Sequence, residues 1–225
     1  MKALVICTSF SKSILSICDS KGTLVSVEME PNHRHSENYF SHLEGLLGEE
    51  SLKEIELIVC GVGPGSFTGI RVGASIAKAF SYALKIPLVG VNSLKSFIPE
   101  VSEASGGFMN LLDANSPGLF VLSAFFDNKK ACVWEKAHLV SFDDFLQIMK
   151  KEKKVFFSFE AEKLKRKFLK HGQDFSLLVK SVEADPYFLY LEGVKSFVDK
   201  DFSTDGRLEL EYLRASQAEI ELNSK

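Results

Sequence analysis

Several familiar signatures are missing from this sequence. No apolar stretch approaches the roughly 20 residues that a membrane-spanning helix needs. The opening run Ala3–Ile6 is too short for the hydrophobic segment of a signal peptide. The expectation is a soluble, cytoplasmic protein with no membrane partner. Only four cysteines are present, Cys7, Cys18, Cys60 and Cys132, and no two form a Cys-x-x-Cys pair. That spacing excludes a zinc ribbon or a thioredoxin-type redox motif. Each cysteine lies in or beside an apolar run, so buried, reduced thiols are expected. The net charge is only −3, so the chain as a whole carries no cationic signature of nucleic-acid binding.

The phosphate and nucleophile motifs are missing too. No Gly-Lys-Ser/Thr closes a P-loop. The Rossmann spacing fails twice, because Gly61-Val62-Gly63 meets Ser66 and Gly63-Pro64-Gly65 meets Thr68 where the third glycine belongs. Gly65-Ser66 is preceded by proline and followed by Phe67, so it is no hydrolase nucleophile elbow. His35 and His42 could share a helix face, but about 10 Å of rise separates them, too far to hold one ion. No catalytic residue and no metal site are expected.

What is present is a chain of 225 residues, 45% apolar and rich in phenylalanine at 19 residues, enough to bury a sizeable core. Ala3–Thr8, Ile14–Cys18 and Leu24–Glu28 read as three short strands with turn-like connectors, an antiparallel meander. Tyr39, Phe40, Leu43, Leu46 and Leu47 recur at helical spacing before Gly48. A strand follows at Ile55–Cys60, then a helix over Thr68–Leu84, a strand at Pro87–Val91 and a short helix to Phe97. The helical crossover implies parallel pairing in a mixed sheet. After a polar stretch at 100–107, the theme of three strands, helix and strand recurs. Strands are expected at Phe108–Leu112, Leu119–Phe126 and Ala131–Glu135, a helix at Phe142–Lys150 and a strand at Val155–Phe159. A basic helix at Glu162–Lys170, a strand at Phe175–Val179 and a helix at Tyr187–Val198 opened by Asp185-Pro186 complete it. The expected division is 1–100, 107–200 and a tail over 201–225.

The stretch Gly61–Gly73 organises this reading. It is a glycine-rich elbow between a buried strand and a helix. Gly63, Pro64, Gly65, Ser66, Thr68 and Arg71 either cradle an anion at the helix N-terminus or form a tight turn that brings helix and sheet together. Along the helix, Gly69, Gly73, Ala77 and Ser81 recur every four residues. Such a small-residue stripe permits a close helix contact, either within the chain or with another chain. The ridge of Tyr39, Phe40, Leu43 and Leu47 is its candidate companion.

Gly63-Pro64-Gly65-Ser66-Phe67-Thr68-Gly69-Ile70-Arg71-Val72-Gly73, Ala77-Lys78 and Ile86-Pro87-Leu88-Val89-Gly90-Val91-Asn92-Ser93-Leu94 together resemble the TsaB (YeaZ) family. His35-Ser36-Glu37, Asp113-Ala114 and Tyr212-Leu213-Arg214 resemble further family segments. The resemblance covers the first hundred residues well and the rest in patches. It implies a duplicated actin-like α/β fold. It also implies a subunit that scaffolds and activates TsaD, in a complex that includes TsaE and uses ATP. That complex transfers threonylcarbamoyl to the adenosine beside the anticodon of ANN-decoding tRNAs, so tRNA would be met through the complex. Tyr39, Phe40, Leu43, Leu47, Gly69, Gly73, Ala77 and Ser81 would form the partner surface, which could also support a homodimer.

This chain departs from the family where chemistry is expected. Cys7-Thr8 stands where the family keeps Asp-Thr, and a thiol is a poor ligand for a hard cation. Ser93 and Phe97 occupy the positions of the catalytic relative's two metal-ligating histidines, and Asn115 replaces an arginine. Asp113 remains a lone carboxylate. The alternative to a non-catalytic subunit is an actin-like ATPase or phosphotransferase with its own nucleotide site.

Overall fold

The computed structural model describes residues 1–29, 45, 52–103, 106–115, 118–152, 154–170 and 178–214. The ridge of Tyr39, Phe40, Leu43 and Leu47 lies outside them, as do His33, His35 and His42. The chain forms two compact units. One joins Met1–Ser96 to Asp185–Glu211, and the other holds Phe97–Ala184 with Tyr212 onward. This differs from the expected division. The helix that follows Asp185 belongs with the N-terminal unit, and the tail is shared between the two.

The first unit is built on a five-stranded sheet. Its strands are β1 (Ala3–Cys7), β2 (Ser13–Asp19), β3 (Gly22–Met29), β4 (Leu57–Gly61) and β5 (Leu88–Val91), in the order β3-β2-β1-β4-β5. β1 and β2 pair antiparallel from Ala3↔Cys18 to Cys7↔Ile14. β4 and β5 run parallel to β1, as the crossover requires. Every residue of β1 and of β4 is buried, because both faces of the sheet are covered. Helix α1 (Phe67–Leu84) covers one face, placing Ile76 and Ala77 against Leu4, Ile6, Leu15, Ile58 and Cys60.

Two further segments pack on this sheet, while β3 at its edge stays largely exposed. One glycine lets another helix approach the opposite face: a Cβ on Gly193 would come 2.5 Å from Val59 Cγ2. Gly193 belongs to α4 (Pro186–Val198), which opens with Asp185 as its cap and Pro186 in the first turn, as read from the sequence. The segment that follows runs back along β5. Ser203 and Leu88 exchange two backbone hydrogen bonds of 2.9 Å, and Leu208 joins the core.

The second unit repeats the plan. Its strands are β6 (Phe108–Asp113), β7 (Gly118–Phe126), β8 (Cys132–Trp134), β9 (His138–Ser141), β10 (Val155–Ser158) and β11 (Val179–Ser181). The order is β11-β10-β6-β7-β8, with β9 also on β7. Read from the other end it matches β3-β2-β1-β4-β5 position for position, with antiparallel strands on one side of the first strand and parallel strands on the other. Helices α2 (Phe142–Lys151) and α3 (Ala161–Lys170) pack on one face around Phe145, Phe156, Leu164 and Phe168. The other face carries Phe108, Phe157, Phe97 and Trp134.

Strand β9 was not expected. Its four residues abut α2 directly, and Ser141 ends the strand while its Oγ accepts from Asp144 N at 3.1 Å to cap the helix. Of the strand expected at Phe175–Val179, residues 175–177 lie outside the described set and Leu178 is in a turn; the strand observed there, β11, begins at Val179 and runs on to Ser181.

Phe145 is fully buried, edge-on to Phe156 and stacked on Phe168 at 6.1 Å between centroids. Phe145→Ala is expected to destabilise the second unit by about 3–5 kcal/mol, measured by urea denaturation.

Candidate functional site

The elbow is closed upon the chain's own backbone. β1 ends at Cys7, and Thr8 and Ser9 follow in a turn that is 2% and 1% exposed. Ser9 O accepts from Ser66 N at 2.8 Å. A Cβ on Gly65 would sit 2.2 Å from Ser9 O, and one on Gly69 would sit 2.0 Å from Thr8 O. Gly63 is at φ 109, facing Glu211 O, and the Gly63-Pro64 bond is cis. These glycines are required by contact with neighbouring chain, since any side chain would overlap a carbonyl oxygen.

Ser93 ties the elbow from below. Its Oγ accepts from Gly63 N at 3.0 Å and shares a 2.7 Å hydrogen bond with Ser9 Oγ, while Ser93 N donates to Gly63 O at 2.7 Å. Cys7 lies in the same buried pocket, where a Cβ on Gly61 would meet its sulfur at 2.7 Å and Ser93 Oγ at 2.9 Å. Burial pushes the Cys7 thiol up despite hydrogen bonds from Ser9 and Ser93, so it stays neutral. Burial likewise pushes Cys18 up to about 11 and raises Cys60. The sequence reading missed Ser9 and the hydrogen-bonding role of Ser93. Their signal was small polar residues beside apolar strand ends, a pattern shared by any turn.

Of the residues proposed as an anion cradle, Gly63 and Pro64 are buried. Ser66 caps α1, its Oγ accepting from Gly69 N at 3.2 Å. Thr68 is exposed, and the Arg71 guanidinium lies 4.2 Å from the Phe67 ring centroid. The arrangement serves the tight-turn alternative.

The small-residue stripe faces inward, which corrects its assignment as a partner surface. Gly73 packs on Thr8 Oγ1, Ala77 is fully buried in the core, and Ser81 Oγ donates to Ile86 O at 2.8 Å. Gly69 faces Thr8 O, which itself lies beside a 2.6 Å bond from Thr8 Oγ1 to Gly69 O. The physical reason is that close approach to the sheet needs the same small residues as close approach to another helix. The opposite face of α1 is solvent-facing, with Arg71, Ser75, Lys78 and Ala79 exposed and Tyr82 88% exposed.

Asp113 ends β6 in the second unit. Its side chain is 4% exposed and is held by Lys167 Nζ at 2.8 Å and Lys163 Nζ at 3.3 Å. Asn115 N donates to it at 2.9 Å. Burial favours the protonated form, but the Lys167 hydrogen bond and the two lysine charges outweigh it and hold the carboxyl below its ordinary value. Asp113 is thus an anchor for α3. Among the described residues, no three His, Cys, Asp or Glu side chains converge as ligands for an ion, and no helix is long and apolar enough to cross a membrane.

Two sheets of the same strand order, each with helices packed on it, define a duplicated actin-like α/β protein. The chain matches the family described as TsaD, tRNA N6-adenosine threonylcarbamoyltransferase, over residues 29–182, and it belongs to that family as a member of TsaB/YeaZ type. It is 34% identical over 62 residues to the tRNA threonylcarbamoyladenosine biosynthesis protein TsaB of Bacillus subtilis, covering 28% of this chain and 27% of that one. It is 43% identical over 44 residues to TsaB of Escherichia coli, covering 20% and 19%. The matches thus span less than a third of these curated relatives. The structure of YeaZ from Pseudomonas aeruginosa superposes with a TM-score of 0.69 at 14% identity, covering 94% of this chain and 99% of that one, which shows a common fold.

Gly69→Ala is expected to destabilise the protein by about 1–3 kcal/mol, because the methyl must displace the Thr8 carbonyl. Thermal and urea unfolding will read this. Asp113 titrates lower when folded than the ordinary carboxylate value of about 3.9. Its contribution is therefore fully present above that value and is lost as pH falls through the lower folded one. Asp113→Asn is expected to cost about 1.5 kcal/mol at pH 7 and to flatten the acid side of a Tm-against-pH profile.

Proposed function

We propose that this chain is a non-catalytic subunit of the machinery that transfers threonylcarbamoyl to the adenosine beside the anticodon of ANN-decoding tRNAs, in the cytoplasm. Its partner is TsaD, with TsaE and ATP in the wider complex. One observation carries the reading. Where an actin-like enzyme would place a carboxylate and a phosphate, this chain has a neutral Cys7 thiol, a Ser9–Ser93 hydrogen bond and glycines closed on the carbonyls of Thr8 and Ser9. The family membership and the names of the relatives support the pathway.

The contact with TsaD is assigned to the outward face of α1, around Ser75, Lys78, Ala79 and Tyr82, together with the ridge of Tyr39, Phe40, Leu43 and Leu47. Tyr82 is the natural anchor, since a large exposed aromatic ring beside small residues can fill a pocket on a partner at low entropic cost. Self-association in isolation would use the same face. A separate nucleotide-hydrolysing activity is the weaker reading, because Asp113 is engaged by Lys163 and Lys167.

Sedimentation velocity of the full chain with its TsaD is expected to show a complex. Tyr82→Ala should weaken it at least tenfold while changing stability by less than about 0.5 kcal/mol. Absence of a complex, or unchanged affinity in the variant, would overturn the proposed function or the proposed face respectively.

A further inference from the structure

The charge of this chain is unevenly placed. The total is −3, yet α3 carries Lys163, Lys165, Arg166, Lys167 and Lys170 against Glu162 alone. The helix is fixed as a rail. Ala161, Leu164 and Phe168 are buried in the core, and Lys163 and Lys167 are tied to the Asp113 carboxylate at the end of β6. Lys165 pairs with Glu162 at 2.8 Å. Among the described residues, no salt bridge engages Arg166 or Lys170, and both are exposed. Among the described residues, Arg166 makes one hydrogen bond, its Nε donating to Glu162 O at 3.2 Å. The two cations are four residues apart, so their Cβ atoms lie about 5–6 Å apart on one face. A third cation stands near the same strand end, where Arg214 Nη1 donates to Ala114 O at 2.7 Å.

We propose that the outward face of α3, led by Arg166 and Lys170 with Arg214 near the same strand end, binds the phosphate backbone of a folded RNA. That this RNA is a tRNA rests on the function proposed above. Cations held on a helix fixed to the core by Leu164 and Phe168 suit a run of phosphates. With Ala161, Leu164 and Phe168 in the core, the exposed Leu169 is the one apolar side chain α3 could sink into lipid, less than the apolar face a surface-lying helix needs. No aromatic residue lies on α3 beyond the buried Phe168, so splayed single-stranded bases have no ring there to stack on.

The test is fluorescence anisotropy of the full chain against a labelled, unmodified tRNA transcript over a range of salt. Arg166→Glu with Lys170→Glu is compared with Lys129→Glu with Lys130→Glu, an equal charge change in an exposed turn of the same unit. Circular dichroism checks that both variants fold. The α3 variant is expected to bind at least tenfold more weakly and to reduce the slope of log K against log salt by about 2, while the turn variant binds like the parent. No binding by the parent, undiminished binding by the α3 variant, or equal loss in both variants would overturn the proposal. So would equally tight binding to phosphatidylserine vesicles released by the same α3 substitutions. None of these results bears on the complex with TsaD, which is read separately by sedimentation and uses α1.

Discussion

The contact between the α1 glycines and the turn after β1 sets the geometry of the N-terminal unit. Gly65 and Gly69 bring the helix so near that the carbonyls of Ser9 and Thr8 occupy the space a side chain would need. The helix is then held by its Ser66 cap at one end and by the left-handed Lys85 at the other. With α1 so close, Ile76 and Ala77 reach the sheet and the core can close over β1 and β4. The same closeness accounts for the glycines at 65 and 69 without any ligand. In this chain one arrangement both packs the unit and leaves its elbow without an obvious chemical task.

The second unit uses a different fastening for the equivalent strand end. There the β6 end is joined to α3 by ion pairs rather than by glycines. Asp113 draws in two lysines, and the neighbouring Ala114 carbonyl accepts from Arg214. Buried ion pairs of this kind are costly to desolvate and are retained only when their hydrogen-bonding capacity is well met. Here the carboxylate accepts from Lys167 and from Asn115 N, and the Lys163 charge stands beside it, which accounts for its persistence. Thus the two halves share a strand order while differing in what secures the loop above the first strand.

Most of the fold was legible because its strands are continuous apolar runs and its helices carry clear periodicity. β1, β4 and β6 are buried on both faces, so they read as unbroken hydrophobic segments. Asp185-Pro186 marked the start of α4 through a local rule that needs no tertiary context. β9 was hidden because four residues carry too little pattern, and its last residue doubles as a helix cap. The direction of the α1 stripe was not legible either. A row of small residues announces close packing without naming the neighbour, and here Thr8 is that neighbour. The pairing of Ser9 with Ser93 spans 84 residues, a separation that no local pattern can report. Likewise the return of Asp185–Glu211 to the first unit depends on which sheet offers an uncovered face, and that is settled only in three dimensions.

That return has a consequence for the order in which the protein is made. α4 supplies the covering for one face of the first sheet, and Ser203 and Leu208 close its β5 side, yet all three are synthesised after the whole of Phe97–Ala184. A ribosome-bound chain that has released only Met1–Ser96 therefore still lacks the α4 covering of that sheet. The second unit, apart from its last segment, emerges before the first can be completed. Vectorial synthesis, which ordinarily lets an N-terminal domain finish first, cannot complete the first unit here until Asp185–Glu211 has been made.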